Sequence, residues 1–393
     1  MNTKNLNIRD FEKKDTDNIL NFWKEVFSYD ESTIKILKDM IEADMNNEVF
    51  SIRIMEDNHK IIGTTCTKKR LIKFGSASLL CGDVGYVAIS PQLQGKRLGT
   101  ILMQDNSEYL VKKGFHIARL GGLHRFYSRF GYVPVVSKYW QFNTRDIKAG
   151  TKKFKFEDIT GLNSGELECI RRMDKLSDWK ECINIEEKCH VDSYGYEPLM
   201  SPFISLQLNR KFDDEIERFV YQKDRQIMAF MMIYNRELIF SYGYLPQHYD
   251  ELIALLKYVL SLSKYEGKTV IKAFFPLVDI KLADNVLRHN IEFEIVEKHS
   301  AIAGNMIKIV NIEEIIDAMY NEIKRLLPDT GKLTIEFSDI KKSFSLHLNQ
   351  GTDRKITTCT EEFINWLKGS NVALIMPQTT KVFSVGYPKY TEF

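Results

Sequence analysis

Residues 87–103, VAISPQLQGKRLGTILM, place glycines, cations and a hydroxyl where a β-rich stretch runs into a helical one. The turn carries these groups on Gly95, Lys96, Arg97, Gly99 and Thr100. The N-terminus of a helix presents unpaired amides and a partial positive charge, so phosphate groups bind there readily. The turn therefore predicts an anion-binding site, and the alternative is an ordinary connection with solvated basic side chains. It has neither the lysine-serine pair of a P-loop nor the GxGxxG spacing of a dinucleotide-binding fold.

A later stretch repeats the surrounding pattern without the anion-binding groups. The runs FVYQKDRQIMAFMMI and LIFSYGYL, within residues 219–245, repeat the strand, turn and strand pattern of residues 51–89. The turn that follows, PQHYDEL at residues 246–252, has no glycine and two acids. Bulky side chains keep backbone amides away from a pyrophosphate, and carboxylates repel it. We therefore expect only the first copy to hold an anion.

The hydrophobic spacing predicts the elements that position the first turn. Residues 1–146 are predicted to follow the order β, α, α, β, β, β, α, β, α, β, with Ser32 capping the second helix and the third helix starting at Leu98. Residues 147–291 repeat part of this order, and residues 292–393 change to an amphipathic helix, three strands and a short helix. The predicted fold class is α+β with mixed α/β sheets, in three units with boundaries near 146 and 292.

The composition is that of a soluble globular protein, with 44% hydrophobic and 27% charged residues. The 55 basic and 53 acidic residues give a formal charge of +2, which disfavours nucleic acid or an anionic membrane as a partner. Without a signal-like or membrane-spanning apolar segment, a cytoplasmic location is expected. The six cysteines are scattered, and Cys182, Cys189 and His190 match no common zinc spacing, so no metal is expected.

In this order of elements, the turn resembles that of the GNAT superfamily, the acyl-CoA-dependent N-acyltransferases. Their signature, Val-x-Val and then Gln/Arg-x-x-Gly-x-Gly/Ala, is matched by Val87-Ala88-Ile89 and by Gln94-Gly95-Lys96-Arg97-Leu98-Gly99, with Arg97 in the place of the first glycine. The segment FYSRFGY, residues 126–132, resembles the FYxxxGF segment that lies beside the CoA thiol in this superfamily. The resemblance implies that residues 87–89 pair with the pantetheine of acetyl-CoA and residues 94–100 hold its pyrophosphate.

The whole chain is similar to a narrower group, the enhanced intracellular survival (Eis-type) acetyltransferases. In that group a GNAT domain, a degenerate GNAT-like domain and a sterol-carrier-protein-like domain follow one another, which implies units at 1–146, 147–291 and 292–393. The final carboxylate enters the active site in that group, and this chain ends at Glu392-Phe393. The resemblance also implies a homo-oligomer, with a hexamer as the candidate state.

The implied reaction is direct acetyl transfer to a primary amine that is aminoglycoside-like, polyamine-like or a lysine side chain. Tyr127 is the expected general acid for the departing thiolate, with Tyr132 and His124 as second choices. The carboxylate of Phe393 is the expected general base, with Glu392 attracting the amine. Its reference pKa of about 3.5 lies about seven units below that of an alkyl ammonium, so it needs burial or a water relay to act.

The resemblance places the acceptor pocket at Trp23, Phe27 and Asp30, on the first helix and the loop after it. Core packing is the alternative for Trp23, Phe27 and Tyr127. Two other functions stay open: transfer of a longer acyl chain, and non-catalytic binding of CoA or lipid. The Glu-Phe ending favours catalysis, and the charged strands KSFSLHLN and DRKITTC do not indicate an apolar lipid tunnel.

Overall fold

The structure, a computed structural model, describes residues 6–44, 48–144, 161–191, 194–208, 216–265, 267–275, 280–298 and 301–367. The N-terminal part follows the predicted order of elements. Its strands are β1 (Leu6–Asp10), β2 (Phe50–Asp57), β3 (Lys60–Phe74), β4 (Ala77–Ile89), β5 (Ile117–Leu123) and β6 (Val133–Pro134). Its helices are α1 (Thr16–Phe27), α2 (Glu31–Ala43), α3 (Leu98–Lys112) and α4 (His124–Tyr127).

The cap of α2 differs from the prediction. Asp30 is the N-cap, because its Oδ1 accepts the backbone N–H of Thr33 at 2.8 Å. Ser32 lies inside the first turn and donates its hydroxyl to the same oxygen at 2.9 Å. A carboxylate at the N-cap satisfies an amide that has no partner within the helix, so Asp30 is a better cap here than Ser32.

The middle and C-terminal parts supply two further sheets. The remaining strands are β7 (Ser137–Asn143), β8 (Ile170–Arg172), β9 (Tyr194–Tyr196), β10 (Ile216–Lys223), β11 (Gln226–Tyr234), β12 (Leu238–Tyr244), β13 (Val270–Ala273), β14 (Glu294–Lys298), β15 (Ala303–Ile309), β16 (Thr330–Phe337), β17 (Lys342–His347) and β18 (Thr352–Thr358). The remaining helices are α5 (Ser164–Cys169), α6 (Trp179–Cys189), α7 (Pro202–Leu208), α8 (Tyr249–Tyr265), α9 (Ile280–Arg288), α10 (Ile312–Leu326) and α11 (Thr360–Leu367).

The two large sheets repeat one arrangement. The first has the order β1-β2-β3-β4-β5-β15-β6, with β9 paired to β3, and the second has the order β14-β7-β13-β12-β11-β10-β8. In the first, the antiparallel strands β2, β3 and β4 lead through α3 to the parallel strand β5. In the second, β10, β11 and β12 lead through α8 to β13 in the same way. The sheets therefore contain the repeat that the sequence indicates.

Each large sheet also includes a strand from a different predicted unit of the chain. The strand β7 lies between β13 and β14 in the second sheet, with Trp140 opposite Ala273 and Ile295. The strand β15 lies between β5 and β6 in the first sheet, with Met306 opposite Leu120 and Pro134. The unit boundaries near 146 and 292 stay predictions, and the hydrogen bonding of these strands crosses both of them.

The third sheet, β17-β16-β18, shares a core with the first. The amphipathic helix α10 lies between them and buries apolar side chains against both. This shared core includes Ile72, Phe74 and Leu79 of the first sheet, Ile315, Ile316 and Met319 of α10, and Leu333 and Phe337 of β16. Burial of one such side chain contributes about 1.5–3 kcal/mol, so this core ties the C-terminal part to the sheet that carries the predicted site.

Candidate active site

A gap opens between β4 and β5 at the centre of the first sheet. The two strands pair in parallel at three positions, the last being Asp83 opposite Arg119. Beyond Asp83, β4 continues to Ile89 along β3, while β5 continues to Leu123 along β15. Tyr86 has φ +49°, and the pairing of β4 with β3 shifts register around it, so β4 bulges where the strands separate. The gap leaves backbone edges of the predicted segment 87–89 available for an added strand-like ligand.

The predicted phosphate turn lies at the open end of this gap. Gly95 has φ +77°, and Arg97, the N-cap of α3, has φ +64° and ψ +7° without a side-chain cap. The carbonyl of Arg97 accepts the N–H of Thr100 at 3.0 Å and that of Ile101 at 3.2 Å. The amides of Leu98 and Gly99 precede these and belong to the first turn, whose amides have no partner within a helix. The turn therefore has the geometry of an anion site.

The side chains of the turn divide into structural and available groups. Leu98 is buried at 4% exposure, and Gln94 donates its side-chain amide to the carbonyl of Ile89 at 3.3 Å. The Cβ of a residue at Gly99 would lie 3.4 Å from the ring of Phe126, so this glycine brings α3 close to α4. Lys96 and Arg97 are exposed, and neither makes an ion pair with another residue that the structure describes. These two cations are therefore the ones available to a phosphate.

Tyr127 lies at the far side of the gap, on the short helix that follows β5. Its ring packs at 4.9 Å from Phe126 and at 6.2 Å from Tyr132, in both cases edge to face. Burial raises the pKa of Tyr127 to about 12, so the phenol stays protonated at neutral pH. Such a group can donate a proton to a nearby thiolate.

The two second choices for the acid differ from Tyr127 in position. Tyr132 is 1% exposed, and its hydroxyl has no hydrogen-bond partner among the described residues. His124 starts α4, and its Nε2 is also buried without such a partner within the described ranges. Tyr132 is a core residue, which leaves Tyr127 as the better placed phenol.

Two of the three predicted acceptor residues, Trp23 and Phe27, lie against Tyr86 at the bulge of β4. Trp23 is 1% exposed, stacks on Tyr86 at 4.4 Å, and donates its Nε1 to Thr64 at 2.8 Å. Phe27 is partly buried and packs against Tyr86 at 6.3 Å. Asp30 is exposed and caps α2, as described above. Trp23 therefore packs in the core, which was the alternative to acceptor binding. Acceptor binding by Trp23, Phe27 and Asp30 stays a prediction.

A buried group of charges, which was not predicted, lies beside the gap, and we call it the charge cluster. It consists of Lys68 and Arg70 on β3, Asp83 on β4, Arg119 on β5, and Glu197 just after β9. Arg70 contacts Asp83 and Glu197 at 2.7 Å each. Arg119 lies 3.5 Å from Asp83 and 3.4 Å from Glu197. Asp83 inside the apolar run LLCGDVGYVAI was the one signal that could have pointed to such a cluster.

The segment that carries Glu197 closes over the charge cluster. Ser201 donates its hydroxyl to Glu197 at 2.9 Å and accepts the backbone N–H of Leu71 at 3.1 Å. The ring of Phe203 lies 3.9 Å from the guanidinium carbon of Arg70. Burial alone would raise the pKa of Asp83, but the surrounding cations hold that pKa well below its usual range. Asp83 is therefore ionised at neutral pH.

The corresponding turn of the second sheet has no anion-binding geometry. Between β12 and α8, Gln247 takes the positive φ of +72°, and no glycine occurs. His248 lies 3.0 Å from Glu251, and Asp250 belongs to the same first turn, so acidic side chains stand where a phosphate would bind. That only the first copy holds an anion stays a prediction.

Several predicted features lie elsewhere or outside the described residues. Glu392 and Phe393 lie outside them, since the described residues end at residue 367. Cys182 is fully buried, and the described residues include no group of three or more His, Cys, Asp or Glu side chains that could hold a metal ion. Over the described ranges, no helix is long and apolar enough to cross a membrane.

Comparison with known proteins shows which solved structures share this fold. Solved structures that resemble the chain include a probable N-acyltransferase from Enterococcus faecalis V583 (11% identity, TM-score 0.62, 96% of this chain and 97% of that chain). They also include a GCN5-related N-acetyltransferase from Kribbella flavida (13% identity, TM-score 0.62, 95% and 91%) and Eis1 from Mycobacterium abscessus (13% identity, TM-score 0.57, 98% and 100%). At these identities the likeness shows a shared fold along nearly the whole chain.

No curated protein matches the chain significantly. Residues 7–135 match the family described as Acetyltransferase (GNAT) domain. This range contains the gap, the turn and Tyr127. Residues 7–135 are therefore a GNAT acetyltransferase domain, and the protein is an acyl-CoA N-acyltransferase.

Proposed function

We propose that the protein transfers an acetyl group from acetyl-CoA to a primary amine of the polyamine, aminoglycoside or lysine type. The observation that carries this proposal is the gap between β4 and β5, which ends at the glycine-bearing first turn of α3 and is flanked by Tyr127. The pantetheine pairs with the backbone at Val87, Ala88 and Ile89 as an added strand. The pyrophosphate lies at residues 94–100.

The residues of the turn fit an anion of this kind. The first-turn amides of Leu98 and Gly99 point out of α3, and the exposed side chains of Lys96 and Arg97 have no competing carboxylate among the described residues. The first turn of α3 contains no acidic residue. Two cations and a helix N-terminus favour a phosphate by charge as well as by hydrogen bonding.

The chemical step needs an acid and a base. The amine nitrogen attacks the thioester carbon, the C–S bond breaks, and the sulfur takes the proton of the Tyr127 phenol. The carboxylate of Phe393 takes a proton from the attacking nitrogen, and Glu392 attracts the cationic acceptor. Trp23, Phe27 and Asp30 border the acceptor side.

The division of the chain into three units belongs to the same proposal. The repeated arrangement of β10, β11, β12, α8 and β13 supports a degenerate GNAT-like unit at 147–291. The sheet β17-β16-β18 with α10 supports a sterol-carrier-protein-like unit at 292–393. A homo-oligomer and a cytoplasmic location complete the proposal, and both follow from family resemblance and composition.

A thiol-release assay tests the function. Purified protein is mixed with acetyl-CoA and a panel of spermidine, 1,5-diaminopentane, Nα-acetyl-lysine and kanamycin, and free CoA thiol is followed. We expect amine-dependent thiol release and an acetylated product in mass spectrometry. If none of these amines caused thiol release, the proposal would be contradicted. Replacing acetyl-CoA by octanoyl-CoA and myristoyl-CoA in parallel decides between acetyl transfer and transfer of a longer acyl chain.

A C-terminal extension tests the role of Phe393. Adding four residues after Phe393 moves the terminal carboxylate without changing any described residue. We expect turnover to fall by about 100-fold, the usual contribution of a general base, with acetyl-CoA affinity unchanged. Unchanged turnover in the extended protein would remove Phe393 from the mechanism.

A further inference from the structure

The charge cluster contains one more cation than anion. Arg70 and Arg119 together balance Asp83 and Glu197, and Lys68 is the additional positive charge. The Lys68 side chain is 5% exposed, and its Nζ lies 3.4 Å from Asp83, which already contacts both guanidiniums. A buried ammonium without a carboxylate of its own is unfavourable, and a lysine in that position tends to give up its proton.

The amine of Lys68 borders the gap between β4 and β5. A Cβ placed on Gly85 would lie 3.8 Å from Nζ, and apart from the two neighbours of Gly85 in the chain, no other described residue comes within 4 Å of that Cβ. Gly85 follows Asp83 by two residues, and Asp83 is the last β4 residue paired with β5. The tip of Lys68 therefore lies beside Gly85, close to the point where the strands separate and where the thioester of the bound acetyl-CoA would lie.

The surroundings of Nζ both favour and oppose its charged form. Its distances to the ring centroids of Tyr86 and Phe203 are 5.7 Å and 5.3 Å, which favours the charged form modestly. Burial lowers the pKa of Lys68, and Asp83 opposes this effect only in part. The titratable and charged groups around it are Cys66 and Arg70 on β3, Asp83 and Tyr86 on β4, Arg119 on β5, and Glu197 after β9.

We propose that neutral Lys68 accepts the first proton of the acceptor ammonium, before the amine attacks the thioester. This inference rests on the proposed function. The acceptor ammonium has a pKa of about 10.4. An amine base matches that value much more closely than a carboxylate of pKa about 3.5 does. The carboxylate of Phe393 then suits the second proton, which the nitrogen loses more easily once it is bonded to the carbonyl carbon.

The protons and bonds balance over the whole reaction. One N–H bond of the ammonium breaks, its electron pair stays on nitrogen, and the proton forms a bond to Nζ of Lys68. The nitrogen bonds to the acetyl carbon, the C–S bond breaks, and Tyr127 gives its proton to sulfur. The second N–H proton passes to Phe393 and from there, through water, back to Tyr127. Lys68 finally releases its proton to solvent, so one proton leaves for each amide formed.

Competitive labelling measures the titration of Lys68 without any acceptor. The protein is treated with trace acetic anhydride from pH 6 to 11, and peptides are quantified by mass spectrometry. Lys69, the next residue on β3 and on the opposite face, is the internal control. We expect Lys68 to reach half-maximal reactivity at a lower pH than Lys69, and saturating CoA to protect Lys68 alone. A midpoint at or above that of Lys69, or no protection by CoA, would overturn the inference.

Activity variants connect this titration to the reaction. Lys68→Met keeps the side-chain volume, Lys68→Arg keeps the charge but cannot release it at these pH values, and Lys69→Met is the matched control. With acetyl-CoA and the fastest amine of the panel, we expect both Lys68 variants to lower kcat/KM at pH 7 by about 100-fold. In the wild type, kcat/KM should fall at low pH as Lys68 becomes protonated, and this fall should be missing from the pH profiles of both Lys68 variants. Lys69→Met should keep the profile of the wild type.

The outcomes separate the two proposals. Melting temperature and CoA affinity establish that each variant is folded. A folded Lys68→Met with wild-type kcat/KM would overturn the role of Lys68 and leave the proposed function intact. A wild-type protein that acetylates no amine of the panel would instead contradict the proposed function itself.

Discussion

The ring of Tyr127 occupies the space that a side chain at Gly122 would take, since a Cβ there would collide with Cδ2 and Cε2 of the ring. Gly122 lies on β5 opposite Gly304 of β15, so the backbone beneath the ring is held from both sides. Gly122→Ala should displace the phenol. We expect kcat to fall by about 10- to 100-fold, the cost of a small misplacement of a reacting group, with little change in acetyl-CoA affinity.

A double-mutant cycle shows whether Gly122 acts through the phenol. In a Tyr127→Phe background, Gly122→Ala should cause only a small further loss of kcat, because the group that it displaces is already missing. Additive losses would mean that Gly122 supports the site in another way.

Removing the phenol itself gives the second prediction. Tyr127→Phe should lower kcat by about 100-fold, the usual contribution of a general acid, and leave the Kd of acetyl-CoA nearly unchanged. Because the pKa of Tyr127 is raised to about 12, the phenol is protonated throughout the range from pH 6 to 10, and the loss should be the same across it. Tyr132→Phe is the matched control, since the Tyr132 hydroxyl is buried and has no partner within the described residues. Equal kcat for Tyr127→Phe and wild type would remove Tyr127 from the mechanism.

The third prediction concerns Arg97, a non-glycine residue at φ +64°. This backbone conformation costs an L-residue about 1–2 kcal/mol, which glycine does not incur. Arg97→Gly should therefore be more stable to urea than Arg97→Ala. If the guanidinium holds a CoA phosphate, both variants should lose about tenfold in acetyl-CoA affinity, as expected for one charge-assisted hydrogen bond. Calorimetry that finds tighter binding by Arg97→Gly than by wild type would show that the side chain obstructs the turn.

The elements around the site could be predicted because their signals are local. The glycines and cations of residues 94–100 and the apolar spacing of α3 lie within one short stretch, and the structure places that helix at Leu98–Lys112. The exchange of β7 and β15 could not be predicted, because the pairing of distant strands depends on tertiary contacts that a local pattern does not contain. The same holds for the charge cluster, which adds Arg119 on β5 and Glu197 after β9 to the side chains of β3 and β4.

Asp30 shows a different limit of prediction. Its position on the loop after α1 was correct, and it was expected to contact the acceptor. A carboxylate two residues before Ser32 suits a helix cap equally well. Which of the two residues serves as the cap depends on the backbone angles. Asp30 has the extended conformation of an N-cap, with φ −78° and ψ 169°, which decides the matter.

The fourth prediction is a pH dependence of stability set by Glu186 on α6. This carboxyl is fully buried and accepts the backbone N–H of Leu199 at 2.8 Å, and burial raises its pKa to about 8. Between the unfolded pKa of about 4.3 and the folded value, the unfolded chain loses the proton that the folded protein keeps, so stability falls as pH rises. Above the folded value, the loss is complete and levels off.

Glu186→Gln tests this directly, because the amide cannot ionise and its oxygen can still accept the N–H of Leu199. The wild type should lose melting temperature from pH 6 to 9, and Glu186→Gln should give a flatter profile and the higher value at pH 9. Glu187→Gln, an exposed neighbour on the same helix, should follow the wild type. Parallel profiles for wild type and Glu186→Gln would show that another group sets the pH dependence.

The last prediction concerns the turn between β3 and β4, where the first sheet meets α10. Gly75 has φ +58°, and a Cβ there would collide with the carboxylate of Glu322. That carboxylate is fully buried and accepts the backbone N–H of Ser76 at 3.1 Å, its hydroxyl at 2.8 Å, and a hydrogen bond from Arg325 at 2.6 Å. Gly75→Ala should therefore strain the backbone and displace a buried charge at once.

Gly114→Ala separates these two effects. Gly114 has φ +69°, and a Cβ there would meet no described atom within 4 Å, so this variant has the backbone cost of about 1–2 kcal/mol alone. Gly75→Ala should lose about 3 kcal/mol more, because a buried carboxylate moved from its partners is strongly destabilising. Urea unfolding of the two variants, followed by tryptophan fluorescence, measures the difference. Equal losses would mean that Glu322 moves aside without cost and does not fasten α10 to the first sheet.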